Sequence, residues 1–282
     1  MNHNKPKIHL VVLLLSTLSF MAQAQQKIVS AGAAVTELLL ALDQQSSLVA
    51  VDVTSELPAG IEKPVIGYHR QLSSEGILAT GATQLIGSDE MGPQSSLEQL
   101  KRAGLTVSIV NTEPTPHGLL ERIDQLAKLT DSQQQARALK AEVSKNLETL
   151  DALRPQKEAQ KKVLFLLIHE GRAANVAGKE TTPNEIIHLA GGINPAAEQL
   201  SAYRPLSNEA LIEMQPDVVL VSGRSYQSLG GTDAILRALP TLAATPAGKN
   251  HQIITIDGHA LVGGLGLKSL SEAKRINQLI YP

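Results

Sequence analysis

One of the four tyrosines in this 282-residue chain, Tyr68, stands in Gly67-Tyr68-His69-Arg70, behind the apolar triplet Pro64-Val65-Ile66. That order predicts an extended run feeding a loop ahead of a helix over residues 72–79, the sheet edge where α/β ligand sites form. A phenolate is a hard anionic ligand suited to ferric iron, the iron of a haem included. Arg70, two positions on, shares a side with Tyr68 if the loop is extended, where its charge would lower the phenol's pKa and its N–H groups would donate to the oxygen. The same residues also fit a plainer arrangement, a half-buried tyrosine bonded to backbone beside an exposed arginine. The spacing does not choose between them.

His169 follows the apolar run at residues 163–168, so it is expected at a strand end facing a cleft, where a neutral imidazole is a good iron ligand. A surface histidine is the alternative. The zinc pattern H-E-x-x-H fails at Glu170, because Ala173 stands where the second histidine belongs. Arg224, just past the apolar run at residues 218–221, is placed to pair with a carboxylate in a forked geometry. His259 lies on a loop leading into Gly263-Gly264-Leu265-Gly266, whose spacing is not that of a dinucleotide fingerprint. No G-x-S-x-G elbow occurs, and acids such as Asp89 and Glu90 are not drawn together around a scissile bond by anything in the sequence. An enzyme is therefore left unsupported by these residues, though not excluded.

These residues need elements to hold them. Strands are expected at residues 27–30, 48–51, 83–86 and 106–110, with helices at 33–42 and 96–103, the rhythm of a mainly parallel sheet covered by helices. Residues 131–154 carry apolar positions at intervals of three and four with no Gly or Pro before Pro155, which predicts one helix of about 24 residues, some 36 Å long. Such a rod suits a strut between two lobes. Beyond it, strands are expected at 163–168, 218–221 and 252–256. Thr182-Pro183-Asn184-Glu185 reads as a helix start with Thr182 as N-cap. A faint repeat links the halves: Leu72-Ser73-Ser74-Glu75 and Leu206-Ser207-Asn208-Glu209 each precede a strand by the same interval. Glu75 and Glu209 thus stand in corresponding places, either as a displayed pair of carboxylates or simply as residues favoured at a helix start.

Composition sets the class. Apolar residues make up 43% and charged residues 18%, which excludes a disordered chain. Twenty-five basic side chains against 27 acidic ones give no phosphate-collecting excess, and 2% aromatics give no base-stacking platform, so no nucleic-acid partner is expected. Residues 1–24 read as a signal peptide: Lys5 and Lys7, an apolar run too short to span a bilayer, then Ala22-Gln23-Ala24. Cleavage after about Ala24 would leave an exported, cysteine-free, soluble chain.

Over essentially its whole mature length the chain resembles the periplasmic haem-binding proteins of bacterial ABC importers. These lie within the wider group that also binds ferric siderophores and cobalamin. The resemblance rests on Gly67-Tyr68-His69-Arg70-Gln71-Leu72-Ser73, on Ala177-Gly178 through Gly191-Gly192, on Pro216-Asp217-Val218-Val219-Leu220-Val221, and on Leu239-Pro240 through Thr245-Pro246-Ala247-Gly248. It implies an α/β fold of two lobes with mainly parallel central sheets joined by a single long interlobe helix, of the class III periplasmic binding protein kind. The division would be 25–130, 131–159 and 160–282, with small hinge motion. It further implies ferric haem b as transported ligand, one or two per chain. Tyr68 would be the axial ligand, Arg70 its hydrogen-bonding partner, Arg224 near the propionates, and His169 the ligand of a second iron. His69 stands where relatives often carry an aromatic residue, adding an imidazole near the site. Glu75 and Glu209 match glutamates that dock on an inner-membrane permease dimer with its ATPase, an iron-acquisition route fed indirectly by an outer-membrane haem receptor. A siderophore or cobalamin carrier of the same fold is the alternative, and a cleft enzyme acting on a tetrapyrrole a further one.

Overall fold

The computed structural model describes residues 26–168 and 173–282; the expected signal peptide and His169 lie outside the described residues. The first lobe runs β1 (Ile28–Ala31), α1 (Ala33–Ala41), β2 (Leu48–Val51), α2 (Ser74–Ala79), β3 (Gln84–Ser88), α3 (Gln94–Arg102) and β4 (Thr106–Val110). Its four strands are parallel in the order β2-β1-β3-β4. Both faces of this sheet are covered, so β1 and β3 are buried at every residue rather than at alternate ones.

Two helices follow, α4 (Pro116–Thr130) and α5 (Gln133–Ala152). The helix expected over residues 131–154 is found as α5, two residues shorter at each end, with α4 paired against it. Asp131 adopts the left-handed conformation at φ 53° and closes α4, and α5 starts only after Ser132. The result is a helical hairpin, tied across by Lys140 Nζ to Asp124 Oδ2 at 2.7 Å. α5 ends at Ala152, ahead of Pro155, and its core stripe of Ala136, Leu139, Val143 and Leu150 follows the sequence periodicity. Leu153, expected on that stripe, is exposed because the helix has already ended.

The second lobe runs β5 (Val163–Leu167), β6 (Asn175–Ala177), α6 (Thr182–Leu189), β7 (Tyr203–Pro205), α7 (Asn208–Met214), β8 (Val218–Ser222), α8 (Gly223–Leu229), α9 (Thr232–Ala238), α10 (Pro246–Lys249), β9 (Ile253–Ile256) and α11 (Leu267–Ile280). Its sheet order is β7-β6-β5-β8-β9, parallel from β5 to β9, with β6 antiparallel to both neighbours. Thr181, not Thr182, caps α6: its Oγ1 accepts from Asn184 N at 3.3 Å while donating to Gly178 O at 2.8 Å.

Among the described residues, three apolar clusters hold the fold. One fills the outer face of the first sheet, around Leu72, Ile77, Leu85 and Leu100. A second fills the corresponding face of the second sheet, around Leu166, Val176, Leu211 and Val221. The largest runs unbroken from α1 and β1 through α4 and α5 to β5, α6 and α11. The two lobes therefore share one core.

Candidate functional site

Backbone hydrogen bonds fix the loop that carries Tyr68. Residues 64–66 lie beside β2, with Val51 N bonded to Pro64 O at 3.0 Å and Ile66 N to Val51 O at 2.9 Å. Gly67 turns the chain at φ 89°, where a side chain would be strained. The 3-10 turn His69–Gln71 is then pinned by Gln71 N to Tyr68 O at 2.7 Å and Gly92 N to His69 O at 3.0 Å. Leu72 N closes the loop on Gly92 O at 2.7 Å. Tyr68 leaves this rigid loop 40% exposed.

His69 turns the other way and is 1% exposed. Its Nδ1 lies 2.9 Å from Asp52 Oδ2, and its ring meets that of Tyr68 edge-on at 4.4 Å. Its Nε2 is buried, lacks a hydrogen-bond partner, and faces Glu90 Oε2 at 3.6 Å. Asp52 also accepts from Gly32 N, Thr54 and Ser55. Burial opposes its charge, but these bonds outweigh burial and hold the carboxyl below the usual range. Burial likewise opposes a charged His69, and the bond to Asp52 with the facing Glu90 carboxylate outweighs it, raising the imidazole's pKa. Arg70 donates to Glu90 Oε1 rather than to Tyr68. Glu90 is held below its ordinary value by His69 first, against burial, and then by Arg70.

These groups stand at the carboxyl ends of parallel strands: Asp52 after β2, Glu90 after β3, Thr112 and Pro114 after β4. Tyr68, His69, Arg70, Glu90, Thr112 and Pro114 form one wall of a cleft of about 310 Å³. The second lobe supplies the other wall from Glu180 to Thr182, Ala202, Tyr203 and the stretch from Leu261 to Gly264. Tyr203 packs on Phe165 with ring centres 6.4 Å apart, and its phenol is pushed up to about 12 by burial first and the Glu90 charge next. So the cleft offers two phenols, each 40% exposed, Tyr68 on the first lobe and Tyr203 on the second.

The lobes meet at the floor. Gly264 sits at φ 89°, and a Cβ there would fall 2.3 Å from Arg122 Nη2 and 2.7 Å from Thr112 O. Arg122, fully buried on α4, donates to Asn111 O at 2.5 Å and to Leu265 O at 2.6 Å, one on each side of the junction. Glu37 of α1 accepts from Leu267 N at 2.7 Å and Lys268 N at 3.1 Å, satisfying the start of α11. Burial of that carboxyl raises its pKa to about 7 against the pull of these bonds. Glu56, Asp257 and His259 also converge, but Lys268 Nζ already pairs with Glu56 and lies 2.9 Å from Asp257 Oδ2. That cluster has its cation.

The sequence-predicted residues are thus partly gathered. Tyr68, His69 and Arg70 line the cleft; Arg224 is exposed in the first turn of α8, outside the lining. Glu75 and Glu209 are exposed on α2 and α7, away from it. Sequence reasoning missed Asp52, Glu90 and Tyr203. A four-tyrosine chain gave a signal for Tyr203, but its edge strand of three residues did not stand out.

Two mainly parallel sheets, a shared core and a cleft between the lobes define a ligand-capturing protein. The sequence matches the family described as periplasmic binding protein over residues 28–260, and the chain belongs to that family. Among solved structures it is similar to the periplasmic haem-binding protein HutB of Vibrio cholerae, at 59% identity over 92% of this chain and 100% of that one, with a TM-score of 0.87. It is also similar to the periplasmic haem-binding protein BhuT in complex with two haems, at 31% identity over 90% of this chain and 97% of that one, with a TM-score of 0.81. Among curated proteins it is 28% identical over 219 residues to the vitamin B12-binding protein of Yersinia pseudotuberculosis serotype O:1b, spanning 77% of this chain and 76% of that one.

Proposed function

We propose that this protein captures ferric haem in the periplasm and hands it to an inner-membrane ABC importer, with no bond chemistry of its own. The observation that carries the reading is Tyr68, held out by a pinned loop into a cleft shared by both lobes, in a chain 59% identical to a haem-binding homologue. In this reading the Tyr68 phenolate binds iron and Arg70 steadies it. Arg224 reaches the propionates from the second lobe, His69 stiffens the loop from behind, and His169 holds a second haem. The apolar faces of the porphyrin supply most of the affinity, at about 25 cal/mol per Å² buried. Residues 1–24 direct export, 25–130 and 160–282 form the lobes, and 131–159 joins them. Glu75 and Glu209 dock on the permease dimer that the ATPase drives, and an outer-membrane haem receptor supplies the cargo.

Cobalamin is the competing cargo, supported by the 28% identical curated relative. A corrin brings its metal with ligands already in place, and an exposed phenol beside arginine gives it nothing specific. Parallel titrations with hemin, cyanocobalamin and a ferric siderophore separate the readings. The expected result is tight hemin binding with a tyrosinate-type spectrum, more than one equivalent bound, and the second equivalent lost in His169→Ala. Preferential cobalamin binding would overturn the haem assignment, and turnover of any of these ligands would overturn the carrier role.

A further inference from the structure

The repeat that places Glu75 and Glu209 extends to what lies beside them. In α2 and α7 the N-cap is a serine, Ser73 or Ser207, whose Oγ accepts from the backbone N–H three residues on at 3.2 and 3.1 Å. The second helical residue is the exposed glutamate, and the fourth is a buried aliphatic, Ile77 or Leu211. The fifth is again aliphatic but faces outward: Leu78 is 42% exposed and Ile212 is 44% exposed. A residue three beyond the glutamate is its neighbour on the helix surface, about 5–6 Å away between Cβ atoms. Each lobe therefore displays an acid and a large aliphatic side by side.

Both helices are also tied down from behind through their first residue. Ser74 Oγ donates to Gln99 Oε1 of α3 at 2.6 Å, and Asn208 Oδ1 accepts from Thr241 Oγ1 at 2.9 Å. A short helix fixed at its start presents its outer face with little ordering left to do. An apolar side chain flanked by a charge is the composition of a docking patch, the aliphatic as anchor and the acid as rim.

We infer that Leu78 and Ile212 are a pair of apolar anchors that insert into small apolar pockets beside the basic groups of a two-fold membrane permease, one anchor per permease subunit. The inference rests on the docking role proposed for the two glutamates. The duplication on separate lobes selects the occupant: a two-fold partner offers two equal pockets at once, each needing an acid and an aliphatic at the same offset. The acids guide approach and lose strength in salt, whereas the anchors do not depend on it.

The test uses haem-loaded full-length mature protein and the cognate permease–ATPase complex in nanodiscs, at low and high salt. Leu78→Ser and Ile212→Ser should each weaken the complex about tenfold and the double change about a hundredfold, with the salt dependence kept. Glu75→Gln with Glu209→Gln should weaken it mainly at low salt and flatten that dependence. Haem affinity should be constant throughout. If the glutamate variants weaken binding and the Leu78, Ile212 double variant does not, the anchors are refuted while docking stands. If neither pair matters, the docking reading fails as well. If the double variant instead abolishes a self-associated form seen by sedimentation, with permease affinity unchanged, the patches face a second copy of this chain and the inference is overturned.

Discussion

Arg70 donates to Glu90, whereas the role proposed for it requires the same guanidinium to reach the Tyr68 phenolate. Glu90 is thus a competitor for the arginine, and Asp52 and His69 hold that competitor from behind. Charge-assisted bonds are about twice as strong as neutral ones, so Glu90→Gln should loosen its hold on Arg70. Hemin should then bind severalfold tighter in an absorbance titration, Arg70→Ala should bind more weakly, and the double variant should resemble Arg70→Ala. A Glu90→Gln protein with unchanged affinity would show that the pair does not compete. Sequence reading reached Tyr68 and Arg70 because a scarce residue type stood at a strand-to-helix loop. It could not reach Glu90, which follows a different strand and joins the site only through the parallel order β2-β1-β3-β4. Tyr203 was hidden for the same reason, on a strand paired antiparallel to β6 in the other lobe.

Among the elements, the parallel strands and their covering helices were legible because buried apolar runs and glycine stops announce them. The interlobe helix was legible in its periodicity to within two residues at each end. Asp131, left-handed without being a glycine, separates it from α4. The glycine run at 263–266 could be excluded as a nucleotide loop, but its actual task depends on a close approach that only the folded chain reveals. Gly264→Ala would set a methyl against Arg122 and the Thr112 carbonyl at a positive φ, and should cost about 1–3 kcal/mol in urea denaturation. Gly258→Ala, with nothing within 4 Å of the added methyl, is the control and should change stability little. Equal effects of the two changes would remove Gly264 from the account of the lobe junction.

At the scale of the whole molecule, a core that passes unbroken from lobe to lobe resists wide opening, so capture should proceed with small motion. Glu37 is the carboxyl enclosed in that junction, facing the α11 start, Lys268 and Arg122. Its folded pKa of about 7 lies above the unfolded 4.5, so its protonated form favours folding. That contribution is complete below about 4.5 and is lost as pH rises through about 7. Relative to Glu37→Gln, the parent protein should lose up to about 3 kcal/mol of stability between pH 4.5 and pH 8 in urea titrations. A gap that stays constant with pH would mean that this carboxyl does not titrate in that window.

The central claim, a haem held in the interlobe cleft by the Tyr68 phenolate, is tested most directly by a hemin titration of the parent protein and Tyr68→Phe, followed by visible absorption. Phenylalanine keeps the ring and its packing on His69 and removes only the oxygen. The account predicts that the charge-transfer band of a tyrosinate-bound high-spin haem is present in the parent and absent in the variant, with affinity lower by on the order of a hundredfold. The same band and the same affinity in Tyr68→Phe would contradict it.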